Sequence, residues 1–187
     1  MKNETTPDKI SNIILGFCNR ISTDNIPEYV IVNPQKDCTI SNCFPNVARI
    51  VQDKGGEAVN GWAIWKWANI LIEAEAHSVW KRPEGSLVDV TPHNYDEKEI
   101  LFLSDPKMVY KACPIPSIRL ALTSSPLVSR LIYLFNERDK ILSSGGMIPP
   151  EMVYEINHIQ YVIHQDVKGN EFCPCQSGLK YKKCCGQ

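Results

Sequence analysis

The chain has 187 residues, 43 % hydrophobic and 22 % charged, which suits one medium domain with a small appendage. A formal net charge of −1 gives no general pull toward nucleic acid or an anionic membrane, and no apolar run is long enough to span a bilayer. The opening MKNETTPDKI is polar, and NIILGFC is too short and interrupted for a secretory core. The expected setting is the cytoplasm, where cysteines stay reduced and their clusters point to metal or catalysis rather than disulfides.

Along the chain, the apolar spacing of residues 8–20 predicts a helix after Pro7, and EYVIVN at 28–33 predicts a strand. NCFPNVARIVQDKGG predicts a helix. Asn42 caps it, Pro45 sits in its first turn, and Gly55 and Gly56 end it. GWAIWKW and ILIEAEAHSVW read as two strands turning near Asn69; SLVDV follows the turn KRPEG, and EILFL is a further strand. Residues 126–142 carry Leu127, Leu131, Leu134, Phe135 and Ile141 on one helical stripe. After the break SSGGMIPP, PEMVYEINHIQYVIHQD predicts a second helix with Met152, Ile156, Ile159 and Ile163 on one side, and VKGNE links it to the tail.

Four of the eight cysteines crowd into that tail: Cys173 and Cys175, then eight residues, then Cys184 and Cys185. Two close thiol pairs around a Ser177-Gly178 turn can meet the tetrahedral, soft-ligand demand of zinc. Four thiolates on one zinc leave a net charge of about −2, which Lys180, Lys182 and Lys183 would offset. So short a segment cannot bury a core of its own, so the metal would supply its folding energy.

CPCQSGLKYKKCCG, residues 173–186, resembles the SEC-C motif, the zinc module at the C-terminus of the bacterial translocation ATPase SecA. Gln176 stands where glycine is commoner. The resemblance implies a closed, structural zinc site and a surface for docking another protein. The same module is appended to many otherwise unrelated bacterial chains.

A second constellation lies earlier. Cys43 heads a predicted helix, whose N-terminus favours a thiolate. His77 and Asp89 lie on consecutive predicted strands. If Trp80 and Ser86 close a five-residue loop, positions 77 and 89 fall directly opposite, about 5 Å apart on one face. Asp89 would then hold the His77 tautomer and stabilise its imidazolium. Taken singly, Cys43 reads as a small core residue, His77 as structural, and Asp89 before VTP as the cap of a turn.

The order of Cys43 at a helix start, then HSVW, then LVDVTP, resembles the transglutaminase-like branch of the papain-like cysteine enzymes over roughly residues 38–92. Phe44 replaces the tryptophan familiar near the nucleophile. The resemblance implies Cys43 as nucleophile, His77 as base and Asp89 as orienter. Members of that superfamily include peptidases, amidases, acyltransferases, crosslinkers and copies that have lost catalysis. An oxyanion site would draw on the backbone N–H of Cys43, with Gln35 or Asn42 as a second donor. Cys38 is the runner-up nucleophile; Cys18 and Cys113 read as structural. Glu73 and Glu75 share the predicted face of His77, and His93, His158 and His164 lack metal-ligand spacing with one another.

The sequence therefore predicts an α+β protein. A papain-like, transglutaminase-like core with an antiparallel sheet occupies residues 1–125, a helical pair packs on it over 126–166, and a zinc knot follows over 167–187. The expected function is a cysteine-dependent hydrolase or acyltransferase acting on an amide, ester or thioester, with zinc in the tail and no organic cofactor. The alternative is a non-catalytic adaptor that binds protein through the zinc module.

Overall fold

Residues 4–164 and 169–186 are described, from a computed structural model. Chain contacts divide it into two units, residues 1–65 with 74–111 and residues 66–73 with 112–187.

In the first unit, helix α1 (Asn12–Ile21) starts four residues later than the spacing after Pro7 suggests. Ser11 is the cap, its hydroxyl accepting from the Ile14 N–H, and Ile14, Phe17 and Cys18 form the buried stripe. Burial pushes the Cys18 thiol up to about 11, so this cysteine behaves as a small apolar side chain.

The strands are β1 (Glu28–Val32), β2 (Glu57–Trp67), β3 (Leu71–Lys81), β4 (Leu87–Asp89) and β5 (Glu99–Ser104). Their order is β2-β5-β1-β4-β3, and a β2–β3 pairing closes the ring into a five-stranded barrel. The sheet is mixed rather than antiparallel as expected: β1 runs parallel to β4, with Ile31 beside Val88 and Val32 beside Asp89. The chain between them contains a helix and a hairpin, a crossover long enough to return a strand in the same direction. Val30, Ala63, Trp65, Val79, Ile100 and Phe102 form one apolar cluster. Helix α2 (Cys43–Lys54) packs Val47 and Ile50 against Trp80, Val88 and Val90 on the opposite sheet face.

The β3–β4 turn fixes the register. The Arg82 N–H bonds the Ser86 carbonyl, leaving a three-residue loop that ends at Gly85, φ +97°. Trp80 therefore pairs with Val88 and Lys81 with Leu87. This corrects the expected five-residue loop by two positions, so Asp89 lies diagonal to His77 rather than opposite. A shift of two preserves the face, and a diagonal pair stays within reach of long side chains.

In the second unit, β6 (Ile118–Ala121) pairs with β3. Helix α3 (Pro126–Ser143) buries Val128, Leu131, Leu134 and Phe135, and α4 (Pro150–Ile163) buries Ile156, Ile159 and Ile163. These side chains share one core with Trp67, Ile70 and Leu71 at the β2–β3 turn and with the four tail cysteines. Of the expected second helix, residues 165 and 166 lie outside the described residues, as do 167 and 168 of the linker. Among the described residues, no helix is long and apolar enough to cross a membrane.

Candidate functional site

Cys43 is the first residue of α2, where backbone N–H groups lack intrahelical partners. The expected Asn42 side-chain cap is not formed. Its amide instead donates to the Thr39 hydroxyl at 3.1 Å. The entry to the helix is held by Asn46, which accepts from the Thr39 N–H and donates to the Thr39 carbonyl and the Thr91 hydroxyl. That last bond ties the start of α2 to the residue two beyond Asp89.

His77 and Asp89 meet. Their Nε2–Oδ2 distance is 2.9 Å, with Asp89 fully buried and His77 only 5 % exposed. Asp89 does two jobs that the sequence offered as alternatives. Its Oδ1 accepts from the Thr91 N–H at 2.9 Å, an Asx-type turn, while Oδ2 takes the imidazole. The Cys43 thiol lies 4.0 Å from the carbonyl of Ala76, the residue before His77, and is close enough to favour charge on the imidazole.

The electrostatics agree with this chain of contacts. Burial opposes charge on His77, but the Asp89 carboxylate and the Cys43 sulfur override it and hold the imidazole well above its ordinary range. Burial likewise opposes charge on Asp89, and His77, His93 and the Thr91 N–H override it, holding the carboxyl well below the usual carboxylate range. An ionised carboxylate only accepts, so the His77 nitrogen on Oδ2 carries the proton. Nδ1 is then the ring nitrogen that Asp89 does not engage.

Sequence reasoning missed His93. Its Nε2 lies 2.7 Å from the same Asp89 Oδ2, and its ring stands edge-on to Trp65 at 5.7 Å between centroids. The signal was Asp-Val-Thr-Pro-His: an Asx turn followed by proline brings the histidine back on to the aspartate. His77, Asp89 and His93 gather their ligand atoms within 4.8 Å, but those atoms already satisfy one another by hydrogen bonding.

The other candidates lie elsewhere. Cys38 is half-buried and accepts from Arg49 Nη2 at 3.3 Å. The Gln35 side-chain amide donates to the Asn33 carbonyl, and its oxygen accepts from Lys54 Nζ. Glu75 accepts from Trp65 Nε1 at 2.9 Å. In the second unit, Glu73 is paired with the buried Arg119 at 2.6 Å.

The tail forms the other site. Phe172 bridges Lys180 in a short antiparallel contact, and the Cys173 N–H bonds the Leu179 carbonyl at 2.7 Å. Gln176 takes a left-handed φ of 62°, the conformation for which glycine is better suited, and Gly178 follows at +76°. A 3-10 turn, Tyr181–Lys183, then delivers the second cysteine pair. All four sulfurs are buried within 4.8 Å of one another. Cys175 and Cys184 are 3.5 Å apart, and Cys184 and Cys185 3.8 Å. Thiolates at zinc-like distances on a tetrahedron would stand about 3.8 Å apart, so the donor set fits such an ion.

Burial pushes Cys173 and Cys185 up. Cys175, against the pull of burial, is brought down to about 6 by the Ser177 and Ser125 hydroxyls and Cys173. Full ionisation of the set therefore needs a cation among the sulfurs. Lys180, Lys182 and Lys183 are exposed around it.

No curated protein and no solved structure matches the chain. One family profile does: residues 170–187 match the SEC-C motif, so the four-cysteine tail is similar to a known metal-binding module and the rest of the chain stands on its own geometry.

Proposed function

We propose that the first unit is a cysteine-dependent acyl-transfer enzyme, a hydrolase or acyltransferase of papain-like, transglutaminase-like ancestry, acting on an amide, ester or thioester. The observation that carries this reading is the 2.9 Å pair of His77 with a buried Asp89, with the Cys43 thiol against the backbone carbonyl next to His77. Nδ1 of His77 takes the thiol proton, and the Cys43 thiolate attacks the carbonyl carbon. The helix-start N–H of Cys43 donates to the developing oxyanion. The imidazolium returns its proton to the leaving nitrogen, oxygen or sulfur, and the thioester passes to water or another nucleophile. Asp89 holds the tautomer and stabilises the imidazolium between the two transfers.

The tail binds zinc in this reading, through Cys173, Cys175, Cys184 and Cys185. All four positions are filled by thiolates, none is left for water, and the ion's contribution is structural. A protein-docking role, without catalysis elsewhere in the chain, is favoured by one observation: Phe172, 75 % exposed, and Leu179 stand out of the module among exposed lysines.

The deciding experiment is the pH dependence of Cys43 alkylation by iodoacetamide, read by mass spectrometry on zinc-loaded protein beside His77→Ala. The enzyme reading expects rapid reaction well below the ordinary thiol pKa of about 8.5 and loss of that reactivity in the variant. An ordinary thiol profile, unmoved by the substitution, sinks it and leaves the docking role.

A further inference from the structure

We infer that His93 is a positioning residue of this site: its Nε2–H, placed on the Asp89 oxygen that also receives His77, locks the carboxylate in the orientation that turns His77 Nδ1 toward Cys43. The inference rests on the thiol–imidazole reading above and deepens it.

A two-member arrangement of histidine and aspartate explains one imidazole on Asp89, not two. The Asp89 carboxylate accepts from three N–H groups, of Thr91 on Oδ1 and of His77 and His93 on Oδ2. Asp89 is fully buried, so no water stands ready to replace a lost donor. Without His93, Oδ2 is steered by His77 alone, and the two can swing together about the aspartate side chain. With His93, the oxygen has a second fixed point.

That fixed point is itself well anchored. His93 lies four residues after Asp89, across the Thr91-Pro92 turn, and its ring meets the edge of Trp65. Trp65 is held in turn by Glu75 through Nε1. The His77 and His93 rings stand 5.9 Å apart between centroids, tilted by 33°, so they converge on the oxygen from different directions and do not stack. Because ionised Asp89 can only accept, both rings carry a proton on Nε2. His93 thus cannot serve its role by shape alone: it must donate.

Two variants separate donation from space-filling. His93→Phe keeps a ring against Trp65 and removes the donor; His93→Gln keeps a donor of similar reach. The titratable groups facing His77 are Asp89, His93 and Cys43, and only His93 is changed. Expected in His93→Phe is a rise of about one unit in the apparent pKa of Cys43 alkylation, hence about tenfold slower reaction at pH 6, measured well below the melting temperature of the variant. Expected in His93→Gln is recovery of most of that loss. A His93→Phe profile that overlays the wild type, or a His93→Gln profile no better than His93→Phe, overturns the inference.

If His77→Ala leaves Cys43 alkylation unchanged in the wild-type background, it is the activated-thiol reading that has failed. Imidazole NMR then decides the role of His93 alone. Nitrogen-15 shifts should report a fixed Nε2–H tautomer at His77 in wild type and a mixture in His93→Phe. A His77 tautomer that stays fixed in His93→Phe overturns the inference.

Discussion

Ser125 and Cys175 are hydrogen-bonded across 50 residues of chain, the Ser125 hydroxyl donating to the Cys175 carbonyl. The same oxygen accepts from the Val128 N–H at 3.2 Å and so caps α3. One fully buried serine thereby fixes both the start of a helix and the first half of the cysteine module.

Ser125→Ala removes both bonds. The expected cost is about 2 kcal/mol, the sum of a lost cap and an unsatisfied buried carbonyl, measured by urea denaturation of the metal-loaded protein. Ser125→Thr keeps both the capping oxygen and the donor, so it should recover most of the loss. A Ser125→Thr midpoint no higher than that of Ser125→Ala would show that the hydroxyl does not set the stability.

Metal removal should unsettle the module and release its thiols to titration. Cys173 and Cys185 are held protonated by burial, so metal uptake at neutral pH must expel protons. Calorimetric titration with zinc in buffers of different ionisation enthalpy should show a buffer-dependent heat and one ion per chain. Cys184→Ser should abolish the tetrathiolate absorption of the cobalt-substituted protein, because Cys184 is the sulfur that touches Cys175, Cys185 and the Ser177 and Thr123 hydroxyls.

Asp89→Asn tests the buried pair through stability as well as reactivity. The Asp89 carboxyl is held low, so its contribution is present above about pH 4 and is lost as pH falls through the lowered folded value. His77 is held high, so its contribution is present below about pH 6.5 and is lost as pH rises through the raised folded value. The wild type should therefore exceed Asp89→Asn by about 3 kcal/mol near pH 5.5, with the gap narrowing in alkali. A gap that does not change with pH in urea denaturation would mean that the pair is not ionised.

Arg119 is the ionic centre of the second unit. Its guanidinium bonds Glu73 at 2.6 Å and Asp139 at 2.8 Å, with a side chain almost without exposure. Arg119→Met leaves buried Glu73 without its cation, while Asp139 keeps Arg138, at a cost of about 3 kcal/mol. Adding Glu73→Gln should return most of that stability, because the harm lies in the orphaned charge. Denaturant midpoints of the single and double variants check this.

Local features were the legible ones. The tail could be read because its ligands sit within a few residues of a turn, and the α3 stripe because a helix repeats its face at fixed intervals. The site around Asp89 was half legible. The face shared by His77 and Asp89 survives a shift of two, so their contact was anticipated from the wrong register, and the true register depends on a three-residue loop ending at Gly85. His93 escaped because it was weighed only against other histidines, when its partner was an aspartate four residues back. The strand Ile118–Ala121 is short and follows the prolines of CPIP, and it forms by pairing with β3, a non-local contact that no window of sequence contains. Closure of the barrel through β2–β3 is non-local in the same way.

The β2–β3 hairpin has a practical consequence for anyone shortening this protein. Its turn contributes Trp67, Ile70 and Leu71 to the core of the helices and the cysteine module, although the chain on either side of the turn belongs to the barrel. A fragment stopping after β5 would carry those three apolar side chains stripped of their cover, an invitation to aggregate. A fragment starting at β6 would lack them altogether. The two halves interleave in sequence, so neither can be inherited, expressed or grafted as a cassette cut at one point.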